Sequence, residues 1–404
     1  MLRRTLEPRL ASLARSYPAV FLTGPRQSGK TTLARKTFPD FRYLSLEDLQ
    51  IRQEATDDPR AFLRRLEGSD GVILDEVQRT PDLFSYLQGF LDERRGGPVV
   101  LSGSQHFLHS DQISQTLAGR VAILELLPFS LAELVGRRAM TPEEFAGAGA
   151  SDETPGSAVS TEAPGLDELL FGGLFPRIHD FGLEPTTWLD GYVRTYVERD
   201  VRLLANIVDL DTFTRFVALC AGRSGQLLNL SNLAADAGVS QPTANRWISL
   251  LQASYIVFLL RPHFESFRKR LVKTPKLYLI DPGLMCYLLG LRKAADLRSH
   301  PLRGAVFETF VMAELRKLFL HGGERSRVYF WRDANGREVD AVIDYGDRRL
   351  PVEVKSGETL GRDAFKGLRL YGDLSGRAGG VMVYGGHGSY SRGDFDIRSW
   401  RRCT

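Results

Sequence analysis

The stretch GPRQSGKT, from Gly24 to Thr31, constrains the fold of this chain more than any other part of the sequence. It fits the pattern G-x-x-x-x-G-K-[ST] without mismatch, and it lies between the apolar run AVFLT and a stretch that can begin a helix, TTLARKTF. In such a strand–loop–helix unit, Gly24 and Gly29 let backbone amides curl around phosphate oxygens, and the helix N-terminus adds a positive dipole. A chance glycine turn is the alternative, but the flanking patterns favour a phosphate-binding loop.

The residues of this loop are candidate nucleotide ligands. Lys30 is expected to reach the β- and γ-phosphates, which makes it a candidate catalytic residue, and the Thr31 hydroxyl is expected to bind Mg²⁺. The predicted cofactors are therefore ATP and Mg²⁺. The predicted nucleotide-binding set is Gly24, Pro25, Arg26, Gln27, Ser28, Gly29, Lys30, Thr31, Thr32 and Ser104.

A second apolar run, GVILDE at residues 71–76, ends in two carboxylates. Asp75, at the end of a buried strand, is predicted to hold Mg²⁺ through its water shell. Glu76 is predicted to be catalytic by polarising the attacking water. The alternative is an ordinary solvated strand end, and the phosphate loop upstream favours the catalytic interpretation.

Two further positions are candidates for the same site. Ser104 and Gln105 follow the run VVLSG, where a neighbouring strand could present a polar sensor of the γ-phosphate. Arg120 ends a helical stretch just before the run VAILELL. In AAA-type ATPases this location holds an arginine finger, a catalytic residue that completes the site of the next subunit, so this interpretation requires a homo-oligomer. Alternatively, Arg120 only caps its helix.

The order of sequence patterns predicts several domains. Apolar runs between residues 18 and 135 alternate with amphipathic stretches, which predicts a parallel α/β sheet with crossover helices. Residues 137–165 are rich in Gly, Ala, Ser, Thr, Pro and Glu and predict a flexible linker or insertion. We therefore predict an ATPase domain over residues 1–136, a helical and winged-helix domain over residues 166–285, and a smaller α/β domain over residues 286–404.

The stretch NLSNLAADAGVSQPTANRWISLLQ has the rhythm of a helix–turn–helix, with its turn at Gly238 and with Ser240 as the cap of the second helix. The hairpin that follows contains RKRLVKTPK, which suggests a winged-helix element whose basic wing, including Lys276, contacts phosphates. Packing against a protein partner is the alternative. The predicted DNA contacts are Thr243, Asn245, Arg246, Arg268, Lys269, Arg270 and Lys273.

Near the end of the chain, the stretch EVDAVIDYGDRRLPVEVKSG predicts two strands joined by a polar turn. Asp340 lies on the first strand, and Glu353 and Lys355, spaced by one residue, lie on one face of the second. With Glu308 from an amphipathic helix, these residues form a possible nuclease site, because carboxylates on adjacent strands bind Mg²⁺ and a lysine can activate water. A hairpin with cross-strand ion pairs meets the same pattern.

The overall composition restricts the partners. A formal net charge of +4 gives no global basic field, so any nucleic-acid surface must be local. The longest apolar runs are far shorter than a bilayer span, and no membrane partner is expected. Three cysteines without paired or metal-ligand spacing, and an N-terminus unlike a signal peptide, indicate a reduced, cytoplasmic protein.

Taken together, the sequence resembles a broad bacterial and archaeal family of AAA-type ATPases whose C-terminal half is a domain of unknown function. The resemblance spans nearly the whole chain and rests on ordered matches that include GPRQSGKTTL, ILDEVQR, LSGSQ, LAGR, YVERDV, GVSQPTANRWISLLQASYIV, KTPKLYLIDPGL and GAVFETFV. It implies a P-loop NTPase sheet of the AAA type, similar to STAND switches in which ATP state controls domain arrangement. It also implies a C-terminal α/β domain similar to the PD-(D/E)xK, or restriction-endonuclease-like, fold. The segment 137–165 is the main departure.

Three functional hypotheses follow from these patterns. The first is an ATP-hydrolysing, Mg²⁺-dependent AAA-type ATPase that couples its nucleotide state to DNA engagement through the winged helix and the nuclease-like domain. The second is a slow ATP-dependent regulatory switch that binds a protein partner. The third is an ATP-gated, metal-dependent nuclease that uses the C-terminal carboxylates.

Overall fold

The chain folds into two compact units, which a computed structural model describes over most of their length. The described residues are 2–93, 96–103, 117, 119–147, 164–201, 209–263 and 273–403, with the backbone alone for residues 198–201. The first unit comprises residues 1–129, 253–255 and 320–324. The second unit comprises residues 130–252, 256–319 and 325–404.

The first unit is built on a five-stranded parallel sheet. Its strands are β1 (Ala19–Thr23), β2 (Arg42–Ser45), β3 (Val72–Asp75), β4 (Val99–Gly103) and β5 (Val121–Glu125). They are hydrogen-bonded in the order β2-β3-β4-β1-β5. The helices are α1 (Glu7–Ser16), α2 (Lys30–Thr37), α3 (Leu49–Asp57), α4 (Pro59–Arg64) and α5 (Leu83–Asp92), with a 3-10 turn at Val77–Arg79. The strands coincide with the apolar runs of the sequence, so the predicted parallel α/β sheet is confirmed.

The central strands of this sheet are mainly apolar, with polar residues only near their carboxyl ends, because both of their faces are covered. Val20 and Leu22 pack in a cluster with Leu33 of α2, whereas Phe21 between them packs in a second cluster with Phe84 of α5. Alternate residues of one strand therefore serve opposite cores. Burying a side chain such as Phe21 contributes roughly 1.5–3 kcal/mol, so β1 is held from both sides.

The second unit begins with short helices. They are α6 (Leu131–Leu134), α7 (Pro142–Gly147), α8 (Leu166–Gly172), α9 (Pro176–Phe181) and α10 (Pro185–Tyr192), followed by a π-helical stretch at Val193–Val201. Longer helices come next: α11 (Leu210–Gly222), α12 (Leu230–Ala237) and α13 (Gln241–Ala253).

Helices α12 and α13 form the predicted helix–turn–helix. Gly238 ends α12 with a φ of 75°, a left-handed conformation that favours glycine. The Ser240 hydroxyl accepts a hydrogen bond from the backbone N–H of Thr243 at 3.2 Å, as expected of a cap. Trp247 faces inward, with edge-on contacts to Phe213 and Phe216 of α11. The turn at Gly238 and the cap at Ser240 are therefore as the sequence indicated.

An antiparallel ribbon follows and leads into a six-stranded mixed sheet. The ribbon strands are β6 (Val257–Leu260) and β7 (Lys276–Leu279), and the helices after them are α14 (Pro282–Leu288), α15 (Ala294–Arg298) and α16 (Arg303–Leu320). The sheet strands are β8 (Val328–Arg332), β9 (Glu338–Asp344), β10 (Arg349–Lys355), β11 (Gly380–Tyr384), β12 (Tyr390–Arg392) and β13 (Phe395–Ser399). Their order is β12-β13-β11-β10-β9-β8. A 3-10 turn (Arg362–Phe365) and α17 (Lys366–Ser375) connect β10 to β11, and a second 3-10 turn (Trp400–Arg402) follows β13.

Two strands of this sheet were not predicted. They are β12 and β13, which follow β11 at the end of the chain. β12 has three exposed residues, and β13 alternates Asp396 and Arg398 with apolar residues, although Arg398 is buried. Within the described ranges, no helix is both long and apolar enough to cross a membrane.

Part of the segment 137–165, predicted to be a flexible linker, is packed. Residues 142–147 form α7, and Phe145 is fully buried there. The Arg398 guanidinium lies 4.4 Å from the centroid of the Phe145 ring, and the Tyr345 hydroxyl donates a hydrogen bond to the Pro142 carbonyl at 2.8 Å. Residues 148–163 lie outside the described part of the chain. The prediction was a flexible linker or insertion; at α7 the segment is packed, because a single phenylalanine supplies an anchor that composition does not reveal.

The anchoring of α7 can be tested by removing its aromatic ring. Phe145→Ala should lower the free energy of unfolding by about 3–5 kcal/mol, because it empties a buried site. Phe181→Ala is the matched control, since Phe181 is 67% exposed, and it should change stability by less than about 0.5 kcal/mol. Urea unfolding followed by tryptophan fluorescence measures both, because all four tryptophans lie in the second unit. Equal midpoints for the two variants would contradict the packing of α7.

Candidate functional site

The loop between β1 and α2 follows a backbone path that requires glycine at two positions. Gly24 has a φ of 145°, and a Cβ there would lie 2.1 Å from the Leu126 carbonyl oxygen. Gly29 has a φ of 91° and immediately precedes α2. Gln27 also has a positive φ, 64°, which costs energy for a residue with a side chain. The loop is therefore a strained turn held by its surroundings, as phosphate-binding loops are.

Lys30 begins α2 and directs its ammonium into this loop. Nζ donates hydrogen bonds to the carbonyl oxygens of Gly24 at 3.0 Å and Pro25 at 2.7 Å. Burial lowers the pKa of Lys30 to about 8, although the carboxylates of Glu76 and Asp75 oppose this effect. The predicted catalytic lysine is therefore a buried cation at the point where the loop backbone converges.

The two predicted metal ligands, Thr31 and Asp75, are in direct contact. Asp75 Oδ2 accepts hydrogen bonds from the Thr31 hydroxyl at 2.7 Å and from the Tyr43 hydroxyl at 2.9 Å. Burial and the negative charge of Asp75 raise the pKa of Tyr43 to about 12, so Tyr43 remains a donor. A hydroxyl and a carboxylate are the hard oxygen donors that Mg²⁺ prefers. Thr31 and Asp75 therefore fit the predicted metal site.

Glu76 follows Asp75 with its backbone in the left-handed region, at a φ of 56°. Burial raises the pKa of its carboxyl group, and the Lys30 charge partly offsets that rise. The side-chain amide of Gln78 donates a hydrogen bond to Glu76 Oε2. A carboxylate with a raised pKa accepts a proton more readily. The environment of Glu76 therefore suits the predicted general base.

Tyr43, Gln78 and Arg4 support this site but were not predicted. The buried Arg4 guanidinium donates hydrogen bonds to the Ser28 carbonyl at 2.7 Å and to the Leu127 carbonyl at 2.6 Å, so it braces the loop. Gln78 lies two residues after Glu76, so its position in the sequence is a local signal for a role at this site. Tyr43 and Arg4 carry no local signal, because they reach the site only through the folded sheet.

The remaining positions predicted for this site lie in different settings. Pro25 and Ser28 are buried, Arg26 is half-buried and Thr32 is exposed. Arg120, the predicted arginine finger, pairs with Asp92 of its own unit, with Nε 2.6 Å from Oδ1 and Nη2 2.9 Å from Oδ2. Ser104 and Gln105 lie outside the described residues.

The predicted DNA-contacting residues fall into two groups. On α13, Asn245 and Arg246 are exposed and Thr243 is half-buried. Lys273, just before β7, is also exposed. Arg268, Lys269 and Arg270 lie outside the described part of the chain. The described members of the set are thus accessible to a partner.

The C-terminal carboxylates cluster with lysines around β9 and β10. Lys355 Nζ donates to Glu353 Oε1 at 2.7 Å and lies 3.9 Å from Asp340 Oδ2. Burial, followed by the Asp340 charge, raises the pKa of Glu353 to about 8. The same two causes raise the pKa of Glu308 on α16. The four predicted residues therefore influence one another electrostatically.

Lys276 belongs to this cluster, and its predicted place on a basic wing is wrong. Nζ lies 2.6 Å from Glu338 Oε1 and 3.2 Å from Glu308 Oε1, and the side chain is 2% exposed. Burial alone would lower the pKa of Lys276, but the carboxylates of Glu308, Asp340 and Glu338 raise it above its usual value. Lys276 therefore stays charged inside the protein. The sequence missed this because Glu308 lies 32 residues further along the chain.

The cluster does not fit the divalent-metal site predicted for a nuclease. In the described part of the chain, no three carboxylate, imidazole or thiol side chains are arranged to hold a metal ion. The carboxylates of Glu308 and Glu353 are engaged by ammonium groups of the chain, and Asp340 Oδ2 accepts a hydrogen bond from the Val354 amide at 2.8 Å. The predicted residues are together, and one oxygen of each carboxylate already has a partner in the chain, whereas Glu353 Oε2 is buried without a hydrogen-bond partner among the described residues.

Family comparisons divide the chain into three matched regions. Residues 16–135 match a family described as an AAA domain. Residues 163–295 and 303–401 match two domains of unknown function, DUF8612 and DUF4143 respectively. The predicted combination of an AAA-type ATPase domain with a C-terminal domain of unknown function is confirmed.

Two curated mycobacterial proteins are similar over most of this chain. They are Uncharacterized protein Rv2008c of Mycobacterium tuberculosis and Uncharacterized protein Mb2031c of Mycobacterium bovis. Each is 31% identical over 366 residues, which cover 88% of this chain and 74% of the relative. This extent of identity shows common family membership.

Solved structures are more distant. The Walker-type ATPase PABY2304 of Pyrococcus abyssi is 15% identical, with a TM-score of 0.40, over 71% of this chain and 96% of that one. The STAND protein PH0952 of Pyrococcus horikoshii is 13% identical, with a TM-score of 0.28, over 77% of this chain and 49% of that one. Scores this low carry no inference about function.

The close backbone approach at Gly24 can be tested by adding one methyl group. Gly24→Ala should destabilise the first unit by about 1–3 kcal/mol, because its Cβ meets a backbone carbonyl that has little freedom to move. Gly89→Ala in α5 is the control: its Cβ would meet nothing within 4 Å, and it should stabilise by about 0.5–1 kcal/mol. Urea unfolding followed by circular dichroism compares them. A Gly24→Ala protein as stable as the wild type would contradict the proximity of Gly24 to Leu126.

Proposed function

We propose that this chain, which belongs to the family of the two mycobacterial proteins and matches an AAA domain over residues 16–135, is a Mg²⁺-dependent enzyme that hydrolyses ATP to ADP and phosphate. The observation that carries this proposal is the convergence of Thr31 and Asp75, 2.7 Å apart, beside the buried Lys30 of the glycine loop. A hydroxyl and a carboxylate can bind the metal ion of a nucleoside triphosphate, and a buried ammonium can bind its phosphates.

The roles of the residues follow from their contacts. The loop amides and Lys30 would bind the phosphates, with Lys30 exchanging the loop carbonyls for phosphate oxygens. Mg²⁺, held by Thr31 and through water by Asp75, would neutralise charge on the phosphate oxygens. Tyr43 would keep the Asp75 carboxylate oriented through its hydrogen bond. Glu76 would orient the attacking water and take its proton as the bond from water to the γ-phosphorus forms, while the bond between the γ-phosphorus and the β–γ bridging oxygen breaks and ADP leaves.

Arg120 supports a proposal of assembly. Its pair with Asp92 is partly exposed, with side chains 28% and 48% accessible. Exposed pairs of this kind are weak, so the guanidinium can exchange Asp92 for a phosphate oxygen of a neighbouring copy. An active homo-oligomer would then use Arg120 of one subunit to stabilise transition-state charge in the next.

ATP turnover by loop variants tests the proposed enzyme. Lys30→Ala should abolish hydrolysis, because the phosphates lose their buried cation. Glu76→Gln should still bind a fluorescent ATP analogue but should turn over about 10²–10⁴ times more slowly, the usual contribution of a general base. Lys36→Ala, on the same helix with its side chain 43% exposed, is the control and should match the wild type. Phosphate release measures turnover, and undiminished hydrolysis in Lys30→Ala would refute the proposal.

We also propose that the helix–turn–helix and ribbon act as a winged helix that engages DNA. Asn245 and Arg246 are exposed near the start of α13, where such helices present side chains to a groove, and Lys273 is exposed at the ribbon. A net charge of +4 leaves this local surface as the source of affinity for phosphates.

Duplex binding measured by fluorescence anisotropy tests this second proposal. Binding of the wild type should weaken steeply as the salt concentration rises. Arg246→Ala should bind more weakly than the wild type and should reduce the slope of log affinity against log salt by about 1. Arg138→Ala is the control, because that side chain is 74% exposed but remote from α13 in sequence. Salt-insensitive or absent binding would refute the DNA proposal without touching the ATPase. Slow turnover unaffected by DNA would then favour a switch that acts on a protein partner.

A further inference from the structure

A buried lysine occupies the centre of the C-terminal carboxylate cluster. Lys276 is the first residue of β7, and its ammonium contacts Glu338 Oε1 at 2.6 Å and Glu308 Oε1 at 3.2 Å. A buried charge is costly unless it is paired and hydrogen-bonded. The two carboxylates come from different elements, β9 and α16, so the ammonium joins the ribbon to both.

The surroundings of Lys276 complete its binding site. Tyr278, on the same face of β7, donates its hydroxyl to Glu308 Oε1 at 2.5 Å. The centroid of the Phe330 ring lies 5.7 Å from Lys276 Nζ, within the range of cation–π attraction. Arg332 donates to the second oxygen of Glu338 at 2.9 Å. Cations and donors of the chain itself therefore engage both carboxylates.

The other half of the cluster is arranged in the same way. Lys355 contacts Glu353, and the Val354 amide occupies Asp340 Oδ2. A divalent cation needs several oxygens that point to one centre, whereas Glu353 Oε1 and Asp340 Oδ2 are held by different groups of the chain. Glu353 Oε2 is buried without a hydrogen-bond partner in the described part of the chain, so an internal cation has to balance its charge. Within the described ranges, this agrees with the lack of any three-ligand metal arrangement. The disagreement with a nuclease metal site therefore has a structural cause.

We propose that the ammonium of Lys276 is the resident cation of this cluster and excludes a divalent metal ion from it. While Lys276 is in place, the cluster is an ion-pair network and not a hydrolytic centre. A metal ion can enter only if Lys276 leaves or loses its charge. This inference concerns the second unit alone and does not depend on the proposed ATPase.

Manganese binding to the nucleotide-free full-length chain, followed by electron paramagnetic resonance of free Mn²⁺, tests the proposal. Wild-type protein and Asp340→Asn should bind the same amount, because the cluster holds none. Lys276→Met keeps the side-chain length and removes the charge. It should gain a manganese site that disappears in the double variant with Asp340→Asn. Manganese bound at the glycine loop should be the same in the wild type, the two single variants and the double variant, so it does not affect the differences between them.

Lys317→Met is the matched control. Lys317 is also a buried cation of the second unit, 1% exposed and 2.8 Å from Glu314 Oε1, and its removal should create no site that depends on Asp340. Circular dichroism establishes that the variants are folded, and Lys276→Gln replaces Lys276→Met if that variant is not. Manganese that depends on Asp340 in the wild type would overturn the proposal. A folded, uncharged Lys276 variant that gains no such site would overturn it as well.

Discussion

The carboxylate of Asp75 joins three segments of the first unit: its own strand β3, the start of α2 and the strand β2. Thr31 at the start of α2 and Tyr43 on β2 both donate to the same oxygen. Asp75 is 4% exposed, and a buried carboxylate without partners would cost several kcal/mol. Because β2 is the strand next to β3, Tyr43 reaches Asp75 only when the sheet has assembled in this order. The candidate metal ligands are thus positioned by the whole sheet and not by the local motif alone.

In the second unit, buried carboxylates are neutralised by ammonium groups of the chain itself. In the first unit, Thr31 and Asp75 converge, so their oxygens can share one external cation. In the second, Glu308 and Glu314 each receive an ammonium from the chain, Lys276 and Lys317 respectively. Both units have buried carboxylates. They differ in the side chains that the fold places beside these carboxylates. Carboxylates at plausible spacing therefore identify a region of charge, and the partners that tertiary structure supplies decide whether it binds metal.

The sequence predicted those features whose cause is local. Apolar runs located the strands of the parallel sheet, because central strands must be buried on both faces. Gly238 and Ser240 located the turn of the helix–turn–helix, because each has a conformational or capping role in its own backbone. Distant residues could be predicted to meet only where a motif links them, as it does Thr31 and Asp75. Arg4 braces Leu127, 123 residues away, and Lys276 pairs with Glu308; no spacing rule links such residues. Phe145 in α7 was hidden in the same way by a composition typical of linkers.

The ribbon of the second unit contacts the mixed sheet through backbone hydrogen bonds and through the ion pairs of Lys276. Beyond β6, the Phe330 amide donates to the Arg261 carbonyl at 3.1 Å, and the His263 amide donates to the Phe330 carbonyl at 2.7 Å. On β7, Lys276 is held by Glu308 and Glu338. Backbone pairing fixes the direction of the ribbon, and the buried ion pairs resist its separation, because each would leave an unpaired charge behind. The ribbon and the carboxylate sheet should therefore move together. A movement that repositions the helix–turn–helix through its ribbon must carry the sheet with it, or first break the contacts of Lys276.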